Sequence, residues 1–248
     1  MGREKPPLKP TTADDSTRER IVLTAMHLYA TGGLEQVSMR AIGTALAVSQ
    51  MAAYRHFKSK DDLFAEIRRR VFDGFASYLE RAVESGSTPA LRLIRYTYAY
   101  VEFGRQAPAD YKFIFDLWPR EQYQMVVRQE GSGVLARNRA FNEQLKVVAE
   151  MLDAAPESVE VQEKAHIMWH SLHGLVSLHT SKKLGFGFSL DDLIKPTLTA
   201  LVKGLFPAHA EGLSIRVPKL PPVAGLISER AAPANLVPEE TTRVSRRR

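Results

Sequence analysis

The sequence predicts an all-α fold in which three short helices feed a long fourth helix, and that helix leads into a larger helical body. Three observations point to it. Apolar residues recur at spacings of three and four along most of the chain, and no stretch alternates with the period of two that marks a half-buried strand. Serines followed three positions later by an acidic residue, together with Gly and Pro breaks, punctuate the chain where helices should start and stop. The 248 residues are 44% hydrophobic, enough for a small domain joined to a larger one.

In chain order, residues 1–14 hold three prolines without apolar periodicity and read as a loose arm. Ser16 and Glu19 form a capping box opening the first helix. Ile21, Ala25, Leu28 and Tyr29 share its inner face, and Gly32-Gly33 stops it. Ser38 caps a short second helix with Met39, Ile42 and Leu46 inward, and Ser49 caps a third that runs to about Arg55. Ser59 and Asp62 repeat the capping pattern at the start of the long fourth helix, roughly 60–83, with Leu63, Ile67, Val71 and Phe75 among its apolar positions.

After a break at 86–89, residues 90–106 and 108–115 read as helices rich in Tyr and Phe. Residues 116–133, with Trp118-Pro119 and Gly131-Ser132-Gly133, read as a loop or frayed turn, and helices resume over 134–152, 156–183 and 190–206. Residues 207–248 carry six of the fourteen prolines and end in three arginines, so they read as a disordered tail. The expected organisation is an arm (1–14), a head of short helices (15–62), a larger helical domain (63–206) and a tail (207–248).

Composition removes several function classes. The chain has no cysteine, which excludes disulfides, thiolate metal sites and a cysteine nucleophile. No run approaches the ~20 apolar residues of a membrane-spanning helix, and the basic, Pro-containing N-terminus lacks the apolar core of a signal peptide, so a cytoplasmic protein without a membrane partner is expected. A GxSxG elbow, a Gly-rich phosphate loop, an HExxH motif and a compelling carboxylate pair are all missing, so no enzyme and no cofactor are expected. The net charge of +6 is unevenly spread. Residues 1–60 hold nine Lys/Arg against five Asp/Glu, 61–207 hold eighteen against nineteen, and 208–248 hold seven against four. Basic ends on a nearly neutral body suit a polyanion-binding head on a sensing body.

The informative stretch is SMRAIGTALAVSQMAAYRHFKSK, Ser38 to Lys60. A short helix, a tight turn and a capped second helix make a helix-turn-helix. Gly43, Ala45 and Ala47 let the helices approach, Ile42, Leu46, Val48 and Phe57 supply the apolar side, and Ser49, Gln50, Tyr54, Arg55 and His56 remain as a polar, positive face.

These residues resemble the TetR family of bacterial regulators, in which Ile-Ala, a small pair, Gly-Val-Ser, Tyr-x-His-Phe and a Lys opening helix four recur. Ile42, Val48, Ser49, Tyr54, His56, Phe57 and Lys60 stand in those places. The third helix, with Trp169, His173 and Gly174 further on, also resembles a subgroup named for a Trp-His-Gly signature. Two positions depart from the pattern. Ala47 replaces the usual turn Gly, so a residue with a Cβ has to take an unfavourable dihedral. Ala52 stands where many relatives carry a Thr that can touch DNA.

The resemblance implies a homodimer that binds a double-stranded palindromic operator as a repressor and releases it when a small molecule binds. Ser38, Tyr54, His56 and Lys60 would hold phosphates, Arg40, Gln50 and Met51 would reach base edges, and Ser49, Ala52 and Arg55 complete the expected DNA-binding set. The last two helices would form the dimer interface through Ile167, Leu175 and Leu178 and through Ile194, Leu198, Leu201, Val202 and Leu205, although an intrachain core explains those stripes equally well. Tyr96, Tyr98, Tyr100, Phe103, Tyr111, Phe113 and Phe115, with Met168 and Trp169 later in the chain, are enough to line an apolar cavity. The candidate ligand set is Tyr98, Phe103, Tyr111, Phe113, Phe115, Met168, Trp169 and His173. The long fourth helix is the expected lever between ligand and head. His166, His170 and His173 share one helix face, but no carboxylate or cysteine completes a familiar ligand set, so no metal is expected. The rival readings are a protein that coats DNA without sequence preference and an uncharacterised helical enzyme.

Overall fold

The capping and breaking signals in the sequence set most of the helix boundaries in the computed structural model, which describes residues 13–116, 139–225 and 227. Among the described residues every regular element is helical. The helices are α1 (Ala13–Gly32), α2 (Met39–Ala45), α3 (Gln50–His56), α4 (Lys60–Glu84), α5 (Pro89–Gln106), α6 (Pro108–Phe115), α7 (Arg139–Leu152), α8 (Val159–Thr180) and α9 (Leu190–Leu205), with short 3-10 turns at Leu34–Gln36 and Pro207–His209. The expected loop at 116–133 and the helix start at 134 fall almost entirely outside the described residues, as do residues 1–12.

Two compact units divide the chain inside α4, one reaching Ile67 and the other running from Arg68 to Glu229. The boundary lies a turn beyond the expected 62 because Leu63 and Ile67, both fully buried, belong to the first unit's core. That core also holds Ile21, Val22, Ala25, Met39, Ile42 and Phe57. α1 starts at Ala13 rather than at a Ser16 cap, which leaves Ser16 and Glu19 inside the helix. Gly33, at φ 75°, ends the helix as expected. Ser38 accepts a hydrogen bond from the Ala41 N–H and Ser49 from the Ala52 N–H. At the start of α4 the Asp62 N–H donates to Ser59 Oγ, while the Asp62 carboxylate accepts from the Lys58 N–H.

In the second unit, α5 is buried over much of its surface and lies among α6, α7, α8 and α9. Phe75 of α4 packs 5.5 Å from the Tyr100 ring and 4.6 Å from the Phe103 ring. Gly104 keeps α5 close to α8, since a Cβ there would collide with the Val176 side chain. Caps on Thr88, Ser158 and Ser189 open α5, α8 and α9, so α8 begins at Val159 rather than at Pro156.

The segment after α9 departs from the expected disordered tail. Residues 210–225 are irregular but lie against the second unit. Arg95 Nη2 donates to the Lys219 carbonyl at 2.9 Å, the Ile227 N–H donates to the Asp110 carboxylate at 3.1 and 3.2 Å, and Val223 and Ile227 are buried. Prolines 218, 221 and 222 keep this stretch from forming a helix without preventing it from burying apolar side chains. Position 226 and residues 228–248 lie outside the described residues.

Candidate nucleic-acid interface and ligand pocket

The turn between α2 and α3 is as tight as its small residues require. A Cβ on Gly43 would stand 3.0 Å from the Val48 carbonyl oxygen and 3.2 Å from the Gln50 nitrogen, so glycine is what lets the start of α3 lie on α2. Ala47 sits at φ 55°, the left-handed conformation anticipated for a residue in the place of a turn glycine. With Ala53 and Phe57 buried against the head, α3 turns Gln50, Met51, Tyr54 and Arg55 outward. Met51 is 70% exposed and Tyr54 39%. Ser38, Arg40 and Ser49 are exposed as well, and His56 is half-buried.

Two members of the expected set stand differently. Ala52 is only 8% exposed, because its position on α3 turns its methyl toward the head, so it is no surface contact. Lys60 is half-buried, with its ammonium donating to the Leu34 carbonyl at 3.3 Å and lying 5.1 Å from the Phe64 ring centre. Any contact it makes to a phosphate would exchange that bond. Arg18, 4.6 Å over the Phe57 ring and 3.3 Å from Glu66, ties α1 to α4 within the head.

The second unit contains a small pocket of about 40 Å³, partly open to solvent. Its walls are Phe72 and Phe75 of α4, Tyr96 and Tyr100 of α5, Phe115 of α6 and Phe141 of α7. Ala140, Gln144, His166 and Trp169 complete it. Phe115 and Trp169 were expected there. Tyr98, Phe103, Phe113 and Met168 instead belong to the core, and the Tyr98 hydroxyl is buried without a partner among the described residues. α5 is apolar on several sides, so its composition does not say which tyrosines face the cavity. Tyr96 and Tyr100, one turn apart, do. Gln144 was missed, although a buried amide on the otherwise apolar face of α7, in register with Ala140, Phe141 and Val148, is a legible signal.

Tyr111 and His173 stand behind this wall. Tyr111 Oη lies 3.3 Å from Tyr100 Oη and 2.7 Å from His173 Nδ1, which forms a hydrogen-bonded chain into the pocket. Burial pushes the Tyr96, Tyr100 and Tyr111 hydroxyls far above the ordinary phenol range, so all three stay protonated. Burial also lowers His173 from 6.5. Asp116 opposes that shift, and His170 adds to it.

On the outer side of α8, Ile167 is 46% and Leu178 45% exposed, whereas Leu175, Ile194, Leu198 and Val202 are buried within the single chain. These four therefore fill the intrachain core and are not open to a partner. Leu201 and Leu205 are half-buried. No helix among the described residues is long and apolar enough to cross a membrane.

Curated relatives match the N-terminal part of the chain. The HTH-type transcriptional repressor KstR of Mycolicibacterium smegmatis is 33% identical over 81 residues, 33% of this chain and 40% of that protein. The nucleoid occlusion factor SlmA of Haemophilus ducreyi is 29% identical over 76 residues, 31% of this chain and 38% of that protein. The chain thus spans about two fifths of the length of these relatives. A solved protein from Rhodococcus sp. RHA1 shares the fold at a TM-score of 0.62 and 20% identity, over 82% of this chain and 100% of that one. Two family models match, that of bacterial regulatory proteins of the tetR family over residues 21–67 and that of the tetracyclin repressor-like C-terminal domain over 93–201. Together these matches cover more than half of the chain, the first of them on the helix-turn-helix and the second on the domain that holds the pocket, and the chain belongs to the TetR family.

Proposed function

We propose that this protein is a transcription regulator that binds a palindromic operator as a homodimer and lets it go when a small molecule fills the aromatic pocket. The observation that carries the proposal is the outward face of α3, where Gln50, Met51, Tyr54 and Arg55 stand exposed on a helix held against α2 at Gly43. A glutamine can pair with adenine, a methionine can touch a thymine methyl, and Tyr and Arg suit phosphates. KstR, whose name makes it a repressor, supports the reading through its match to this part of the chain.

A dimer is needed to span two half-sites a turn of DNA apart. Ile167, Ser171, Gly174 and Leu178 follow one line on α8, and a Cβ at Gly174 would meet nothing within 4 Å. Gly204 on α9 is open in the same way. These helices support a bundle of two from each protomer, packed closely at the glycines. Release would follow if the ligand favours the conformation with lower operator affinity, at a coupling of about 1–3 kcal/mol. Phe72 and Phe75 of the pocket sit on the same helix as Leu63 and Ile67 of the head core, which makes α4 the relay.

The test separates base reading from phosphate holding. Gln50→Ala should relax sequence preference, at a cost of about 1–3 kcal/mol on the operator, while Arg55→Ala should weaken operator and random DNA alike and flatten the salt dependence. Operator binding untouched by both substitutions would remove α3 as the reading helix.

A further inference from the structure

The loop between α8 and α9 is anchored at both ends and exposed in the middle. The Lys183 and Leu184 N–H groups donate to the Leu178 carbonyl and close α8, while Ser189 and Asp192 form the capping box that opens α9. Between these anchors Phe186 is fully exposed and Phe188 more than half exposed. Phe186 also sits at φ 64°, the left-handed conformation that is unfavourable for a residue with a Cβ. An aromatic ring held in water on a strained backbone does nothing for the fold of its own chain. Strain of this kind and exposed apolar surface both mark contact sites.

The order of residues on α8 points to what covers the ring. A two-fold interface is self-complementary, so that where residue i meets residue j of the partner, j also meets i. In two antiparallel copies of one helix the numbers of facing residues therefore have a constant sum. Glu163, Ile167, Ser171, Gly174 and Leu178 follow one face of α8 at spacings of three and four. Pairing Ile167 with Leu178, both exposed, fixes a centre between Ser171 and Gly174 and sets those two small residues opposite each other. The same centre sets Glu163 opposite Lys182, both exposed and neither with an ionic partner among the described residues. It also sets Phe186 at the level of Val159, which is 72% exposed in the first turn of α8. A parallel pair would instead bring each of these charges to its own like, which is repulsive.

From this register we infer that the α8–α9 loop is a hook for a second copy of this chain. Two α8 helices cross antiparallel between Ser171 and Gly174, Phe186 of each protomer packs on the first turn of the other's α8 beside Val159, and Lys182 pairs with Glu163 across the interface. The inference rests on the homodimer reading proposed above and supplies its register.

Because the chain has no cysteine, introduced thiols report that register directly. Positions 163 and 182 of one chain lie about 28 Å apart along α8, beyond the reach of a short bismaleimide. The full chain carrying Glu163→Cys with Lys182→Cys should therefore become a covalent dimer with that reagent only through bonds between protomers. Either single variant should stay monomeric on a denaturing gel, since the antiparallel register also keeps each position about 28 Å from its own copy. Crosslinking by the single variants, or none by the double variant, would overturn the inference. Phe186→Ser, at a fully exposed position, should keep the wild-type thermal midpoint and raise the dimer dissociation constant in sedimentation at least about tenfold, the scale of a lost interface anchor. An unchanged constant would overturn the hook, and if the substitution then abolishes pelleting with vesicles of anionic phospholipid, the loop serves a membrane surface instead. A wild-type chain that sediments as a monomer at every concentration removes the homodimer reading and this inference together. A wild-type dimer with the wrong crosslinking pattern removes this inference alone.

Discussion

The hydroxyl of Tyr111 on α6 lies 2.7 Å from Nδ1 of His173 on α8, so this half-buried histidine is engaged in a hydrogen-bonded chain. Burial lowers its proton affinity. Above the ordinary imidazole value of 6.5 both folded and unfolded chains carry this ring neutral, and it contributes no pH dependence. Below 6.5 the unfolded chain takes up a proton that the folded chain resists, so stability falls with acidification. Urea midpoints should therefore drop from neutral pH toward mildly acidic pH, and His173→Gln should show a shallower drop. An equally steep loss in the variant would assign the effect to another group.

Gly43 lets the Val48 carbonyl approach α2, and the atoms that a Cβ would meet are backbone. Gly43→Ala should cost about 1–3 kcal/mol of stability, because the clash is relieved only by moving α3. Chemical denaturation measures it, and an unchanged midpoint would mean the turn is looser than these distances indicate.

Ala47, at φ 55°, carries the opposite expectation. The left-handed conformation costs a residue with a Cβ about 1–2 kcal/mol, and glycine returns about 0.5–1 kcal/mol of that as chain entropy. Ala47→Gly should therefore raise stability by up to about 1 kcal/mol, and a lower midpoint would contradict it.

The head was legible in the sequence because its signals are local. Caps at Ser38 and Ser49, the small residues of the turn and the strain at Ala47 each follow from a few neighbouring residues. The second unit was less legible because helical periodicity reports that a face is apolar, not what it faces. Tyr98 and Tyr100 are equally aromatic, and only the position of α7 decides that Tyr100 meets a cavity while Tyr98 meets core. The stripe on α9 likewise mixes Leu198 and Val202, buried in the chain, with the half-exposed Leu201 and Leu205. The proline-rich segment after α9 read as disorder because its anchors are distant, at Arg95 and Asp110.

The burial pattern on α8 and α9 separates assembly from folding. Ile167→Glu with Leu178→Glu, both at exposed positions, should convert a dimer to monomers in sedimentation and weaken operator binding while the thermal midpoint stays cooperative. Leu198→Ala, fully buried, should instead cost about 2–5 kcal/mol of stability. A charge pair at 167 and 178 that leaves the sedimentation unchanged would move the interface elsewhere.

The central claim is sequence-specific DNA binding by the head. Its most direct test is to titrate the purified chain onto labelled DNA from the intergenic region beside its own gene, with unrelated DNA as competitor and at two salt concentrations. The account predicts saturable binding to one palindromic site that weakens with salt yet survives the competitor, because base contacts from α3 add to phosphate contacts. Binding that competitor DNA removes as readily as the specific sequence would contradict it and leave a protein that coats DNA without reading it.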